Sequence, residues 1–132
     1  MLQLADIGFF VFHTLLVGFN IFGWIWRRTR FWHLIAMSLT SFSWFVMGAF
    51  YGWGYCLCTD WHFDVREQLG YEDTETTYVQ LFARVVFGIP MSRSTSDILA
   101  VTIFGLILVA MAVVWSRDLH QRLKARLFSG AG

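Results

Sequence analysis

Three long runs dominate the hydrophobic pattern of the chain, at residues 7–26, 31–55 and 98–115. Each is close to the ~20 residues that a helix needs to cross a bilayer core. Helices are the expected form, because lipid offers no partner to open backbone N–H and C=O groups. The pattern therefore predicts an all-α integral membrane protein with three transmembrane helices in one domain, residues 1–132. The 56–97 connection has its own periodicity. Residues 60–69 place Trp61, Val65 and Leu69 on one helical face, with Gly70 as a stop. Residues 71–77 are polar and predict a turn. Residues 77–87 carry Tyr78, Leu81, Phe82, Val85 and Val86 as a second amphipathic helix, too short to span. Ser94 and Asp97 have the spacing of a capping box opening the third span. Beyond Trp115, DLHQRLKARLF continues the helix as an amphipathic tail over 116–132.

Composition supports a membrane environment. The chain is 57% hydrophobic and 14% charged, with seven Trp, fourteen Phe and one Pro in 132 residues. A soluble domain of this size has too little interior to hide that surface. A net charge of +1 gives no basic field for nucleic acid. The first run could be a secretory leader, but a basic start and a small-residue cleavage site are missing, so a retained span is expected. Arg27, Arg28 and Arg30 lie between the first two runs, and Arg117, Arg122, Lys124 and Arg126 follow the third. Positive residues stay inside. The N-terminus is thus expected outside the bacterial inner membrane, with the C-terminus cytoplasmic and the acidic 56–97 connection outside. Trp24, Trp26 and Trp32 mark the inner interface, and Tyr51, Trp53 and Tyr55 the outer one.

Several polar residues interrupt the runs. Asp6, His13, Asn20 and Arg27 stand seven apart and form one stripe on the first span. A polar stripe is costly against lipid, so it should face protein. It can serve as hydrogen-bonding glue between helices, as a ligand or proton-handling position, or as a contact with another subunit. His13 and His33 are candidate ligands of a haem or another pigment. Their depths differ by roughly 15 Å at 1.5 Å rise per residue, so they cannot grip one ring together. Thr14 with Gly18, and Gly48 with Gly52, are small-xxx-small pairs that allow helices to approach closely.

The stretch GYCLCTDWHFD, residues 54–64, gathers Cys56, Cys58, Asp60, His62 and Asp64. An extended backbone would put the first four on one side; a helix would not. One reading is the structural lip of the second span. Another is a metal or redox site at Cys56 and His62, with His13 as a possible contributor. A catalytic thiol would need a base held against it. Strong zinc signatures use two ligand pairs, and only one Cys-x-Cys stands here.

The order His13-Thr-Leu-Leu, Asn20-x-Phe-Gly-Trp, Arg30-x-x-His33-Leu, Trp44 and Gly54-Tyr-Cys56-x-x-Thr59-Asp60-Trp61-His62 resembles a family of small bacterial integral membrane proteins. That family is known as a domain of unknown function, with a Cys-Pro-Leu-Thr element after its second span. The resemblance covers residues 6–115 and is nearest to a Bacteroidota-like branch. It implies that His13, Arg30, His33, Cys56 and Thr59 belong to the shared pattern, and it implies no activity. The chain departs from it at Leu57, in place of Pro, and at Cys58. Loss of the Pro predicts that the second span runs about a turn further.

The function expected on these grounds is a small non-catalytic subunit packed into a larger membrane complex, respiratory or photosynthetic. Its partners would be the lipid bilayer and other membrane subunits. The alternative is a small membrane redox or metal-binding protein or enzyme acting around Cys56 and His62. Lipid, pigment or haem are the cofactors considered, ahead of a metal.

Overall fold

The computed structural model describes residues 1–129, and all regular structure among them is helical. Helix α1 is Leu2–Phe22, α2 is Arg30–Tyr51, α3 is Leu57–Gln68, α4 is Tyr78–Phe87 and α5 is Arg93–Ser129. Three of them, α1, α2 and the Arg93–Leu127 part of α5, are long and apolar enough to cross a membrane. The third apolar run and the basic tail are one unbroken helix.

Local chemistry explains the boundaries. Ser38, Thr40 and Ser41 each donate a hydroxyl to the carbonyl four residues back. Such bonds compete with the helix ladder. The next turn of α2, Phe42–Met47, is wound as a π-helix. There Ser43 Oγ donates instead to Tyr55 O at 3.0 Å and pins the returning chain. Helix α2 then ends at Tyr51, a turn earlier than the sequence predicts. Gly52 (φ 112°) and Gly54 (φ 77°) take backbone angles that L side chains rarely adopt, and they turn the chain back. The returning backbone passes close to Gly48, where a Cβ would sit in ordinary contact with Gly54 N at 3.6 Å.

Cys56 is extended and starts α3, three residues before the helix predicted from Asp60. Gly70 (φ 81°) closes it, with Tyr71 N–H donating to Arg66 O. Thr77 caps α4, accepting from Gln80 N–H at 3.3 Å, and Gly88 (φ 68°) ends it. The start of α5 differs from the expected Ser94 and Asp97 box. Ser92 Oγ accepts from Thr95 N–H at 3.2 Å, while Asp97 lies 3.8 Å from Arg93.

Helix α1 is the hub of the fold. One half meets α2 and α5 around Met37, Phe104, Ile107 and Met111, with Ile21, Trp24 and Trp44 packed against that core. Trp44 and Phe104 stack at 5.0 Å. Helix α3 runs antiparallel along the other half of α1. Its start reaches His13, and its middle reaches Asp6. Both short helices pack on α1: Tyr78 and Phe82 of α4 lie against Phe10.

Candidate functional site

The stripe of α1 meets a different partner at each position. Asp6 Oδ1 accepts from His62 Nε2 at 2.8 Å and from Arg66 Nη1 at 3.1 Å. His13 Nε2 lies 3.9 Å from Cys56 Sγ. Asn20 Nδ2 donates to Thr40 Oγ1 at 3.0 Å, and Asn20 O accepts from His33 Nε2 at 2.8 Å. Arg27 falls off the expected stripe: α1 ends at Phe22, so Arg27 stands in the turn before α2, where it reaches Gln121 Oε1 at 3.3 Å and Asp118 at 3.5 Å.

The Asp6 end is an ionic network. Arg66 grips Asp73 through Nε at 2.5 Å and Nη2 at 3.0 Å, and stacks over Tyr71 at 4.5 Å. Arg84 bonds Asp73 at 2.6 Å and Glu75 at 3.1 Å. The hydrogen bonds from Arg66 hold the Asp73 carboxyl below the usual carboxylate range, and those to Asp73 raise Arg66. His62 is 1% exposed and stacks on Phe9 at 5.8 Å. The α3–α4 connection is thereby locked to α1 by paired charges, the form in which buried charge is tolerated.

Below this network lies the thiol centre. His13 is 6% exposed and stacked on Tyr78, with ring centroids 3.8 Å apart and planes at 7°. Tyr78 is itself fixed: its hydroxyl bonds Thr14 Oγ1 at 2.5 Å and donates to Phe10 O at 3.0 Å. Cys56 and Cys58 are both free thiols and half-buried. Burial, with Cys56 beside it, pushes the Cys58 thiol up. Nearby, Tyr55 donates its hydroxyl to Asp60 Oδ2 at 2.8 Å, which pushes its pKa up to about 12.

The chain is a member of the DUF2784 family, described as proteins of unknown function. The family model matches residues 3–116. No curated protein and no solved structure matches the chain. Within this DUF2784 chain, the matched region includes both centres and Arg30. It ends before Asp118, which Arg30 contacts through Nη1 at 2.5 Å.

The structure brings Cys56 to His13 and gives His62 to Asp6, so the pair named from the sequence, Cys56 and His62, is divided between two centres. The helical start of α3 is the reason: alternate residues of a helix fan out instead of sharing a side. Among the described residues, no group of three or more His, Cys, Asp and Glu side chains is placed to hold a metal. His13 and His33 lie on separate ties, each with Nε2 engaged and Nδ1 buried without a partner. Arg66, Asp73, Arg84 and Asp118 are residues that sequence reading did not single out, and Tyr78 was read only as part of an apolar helix face. Three arginines, Arg66, Arg84 and Arg93, among seven acidic residues of the connection were the available signal.

Proposed function

We propose that this DUF2784 chain is a small integral subunit of a larger assembly in the bacterial inner membrane, with its N-terminus outside and its C-terminus in the cytoplasm. The observation that carries this reading is how the chain distributes its apolar surface. Only 6%, 11% and 17% of the most apolar stretches of the three long helices are buried. Five of the seven Trp are exposed: Trp26, Trp32, Trp53, Trp61 and Trp115. The polar side chains on α1, in contrast, are largely spent on contacts within the chain.

The small-residue pair of Thr14 and Gly18 points the same way. Thr14 is used by Tyr78, but nothing lies within 4 Å of a Cβ placed on Gly18. Gly18 lines an open apolar groove of about 440 Å³ with Leu15, Phe19, Phe22, Gly23 and Trp26. Small residues at such a place let a neighbouring helix approach closely.

Mild-detergent purification of the tagged protein from its native membrane, with mass spectrometry and an absorption spectrum, tests the proposal. Stoichiometric membrane partners are expected, and any bound haem or pigment would appear as colour. A lone, colourless chain that keeps its abundance in cells lacking neighbouring membrane complexes would overturn it. Reporter fusions check the orientation: an enzyme active only outside should be silent on the C-terminus and active on the N-terminus.

A further inference from the structure

The apolar groove on α1 runs down to a basic turn. We propose that it holds one acyl chain of an anionic phospholipid, whose phosphate is bound at Arg28 and Trp26. This stands apart from the subunit reading, which is carried by the exposed surface of all three long helices.

Three observations converge on it. First, the groove has the length of one leaflet. Thr14, Gly18 and Phe22, each one turn apart, mark its course along α1, and Trp26 and Thr29 close its end. From Thr14 to Phe22 is about 12 Å of helix rise. That is most of the ~15 Å that one leaflet gives to a hydrocarbon core of ~30 Å. The groove stops where α4 starts to cover α1. Thr14 bonds the Tyr78 hydroxyl, and Phe10, one turn further on, lies against Tyr78 and Phe82. A partner helix crossing both leaflets would run into α4 there. An acyl chain ends within its own leaflet.

Second, the groove is open and apolar. Nothing lies within 4 Å of a Cβ placed on Gly18, while Leu15 and Phe22 stand exposed on either side of it along the helix. Its volume of about 440 Å³ is many times the ~30 Å³ share of one water. Hydrocarbon is what fills such a space in a bilayer.

Third, the polar donors at its end are unspent. Thr29 Oγ1 donates to Gly23 O at 2.7 Å and to Trp26 O at 3.0 Å, which folds the turn against the end of α1. Arg27 and Arg30 of this turn are engaged by Asp118. Arg28 stands between them in sequence and is exposed. Among the described residues, neither its guanidinium nor the indole N–H of Trp26 has a partner. Three arginines thus share one carboxylate, and the turn keeps an excess of positive charge. An arginine fork matches a phosphate with paired hydrogen bonds. Trp belongs at the headgroup level. The excess charge favours a net-negative headgroup over a zwitterionic one.

The test uses the full chain, stripped of lipid in detergent and returned to mixed micelles. These hold equal amounts of phosphatidylglycerol and phosphatidylcholine with the same acyl chains. Native mass spectrometry counts the lipids retained. One phosphatidylglycerol per chain should stay bound in preference to phosphatidylcholine. Gly18→Leu starts its new side chain in open space, so the fold should hold and that lipid should be lost. Arg28→Gln should weaken retention about five-fold, the effect of one basic residue at an anionic surface, and bring the two lipids towards equal binding.

Equal retention of both lipids by the native chain would overturn the proposal. So would a bound lipid that is unchanged in Gly18→Leu. So would one unchanged in Arg28→Gln but lost in Arg117→Gln, which would put the headgroup on the tail of α5. Gentle purification from native membranes separates the occupants. If Gly18→Leu sheds a protein partner there and keeps its phosphatidylglycerol, a helix fills the groove: the lipid proposal falls and the subunit reading stands. A native chain that holds its lipid but no partner would sink the subunit reading alone.

Discussion

Single residues set the geometry where helices meet. Gly23 shows this most sharply. A Cβ there would lie 2.6 Å from Phe19 O and 2.8 Å from His33 Cδ2. The imidazole of His33 is 0% exposed and tied to Asn20 O, so it has little room to retreat. Gly23→Ala should therefore cost ~1–3 kcal/mol, the usual range for overpacking, read as a lower midpoint in mixed-micelle unfolding. Asn20→Leu should cost less, towards ~0.6 kcal/mol, the average for polar contacts between membrane helices. Its Oδ1 already lacks a partner, so only the bond to Thr40 is lost. At this scale the seven-residue spacing of the stripe is legible in sequence, since it depends only on helix pitch. The partner of each stripe residue is not, because residues such as Cys56 and Asp6 are brought to one helix from distant parts of the chain.

Among the elements, α3 departs most from its expected place. Its apolar pattern suits a surface helix, yet it is laid along α1 by Asp6, His62, Arg66 and Asp73. The Arg66 and Asp73 side chains are 10% and 8% exposed. Removing Arg66 leaves Asp73 with Arg84 and Asp6 with His62, so the loss should fall below the ~3–5 kcal/mol of a fully broken buried pair. Arg66→Met should therefore speed amide hydrogen exchange over residues 57–68 and leave the core around Phe104 protected. Acid should act on the same lock. Asp73 has a folded pKa below that of the unfolded chain, so its contribution is complete above about pH 5. It is lost as pH falls below about 4 and through the folded value. Unfolding midpoints measured from pH 6 to 3 should fall for the native chain and fall less for Arg66→Met. Helix ends were readable where Gly or Thr acts locally, as at Gly70 and Thr77, whereas the Ser94 and Asp97 box gave way to Ser92. The early end of α2 was not readable, because two glycines and the Ser43 bond to Tyr55 act together.

For the whole molecule, two polar girdles bracket the apolar middle. Ser96 bonds Thr77 at 2.6 Å near one end of α5, and Asp118 pairs with Arg30 near the other. These residues stand 22 apart on one helix, about 33 Å of rise, close to the ~30 Å of a hydrocarbon core. Girdles so far apart should be energetically independent. Asp118→Asn should lower the unfolding midpoint by weakening the ion pair with Arg30. Combined with Arg66→Met, the two losses should add within ~0.5 kcal/mol. A clear excess in the double variant would show that the ends are coupled through α1.

Hydropathy and local periodicity were enough for the helical class, the three long spans and the two short helices between the second and third. Those features depend on what each segment does with its own backbone and its own apolar face, which neighbours in sequence decide. Membership of the acidic lock, the pairing of Cys56 with His13 and the separation of His62 from the thiols were decided only in tertiary structure. They follow from the direction in which α3 packs on α1 and from its helical phase. Neither is contained in a pattern of single residues, because both arise when segments 43 to 60 residues apart are packed side by side.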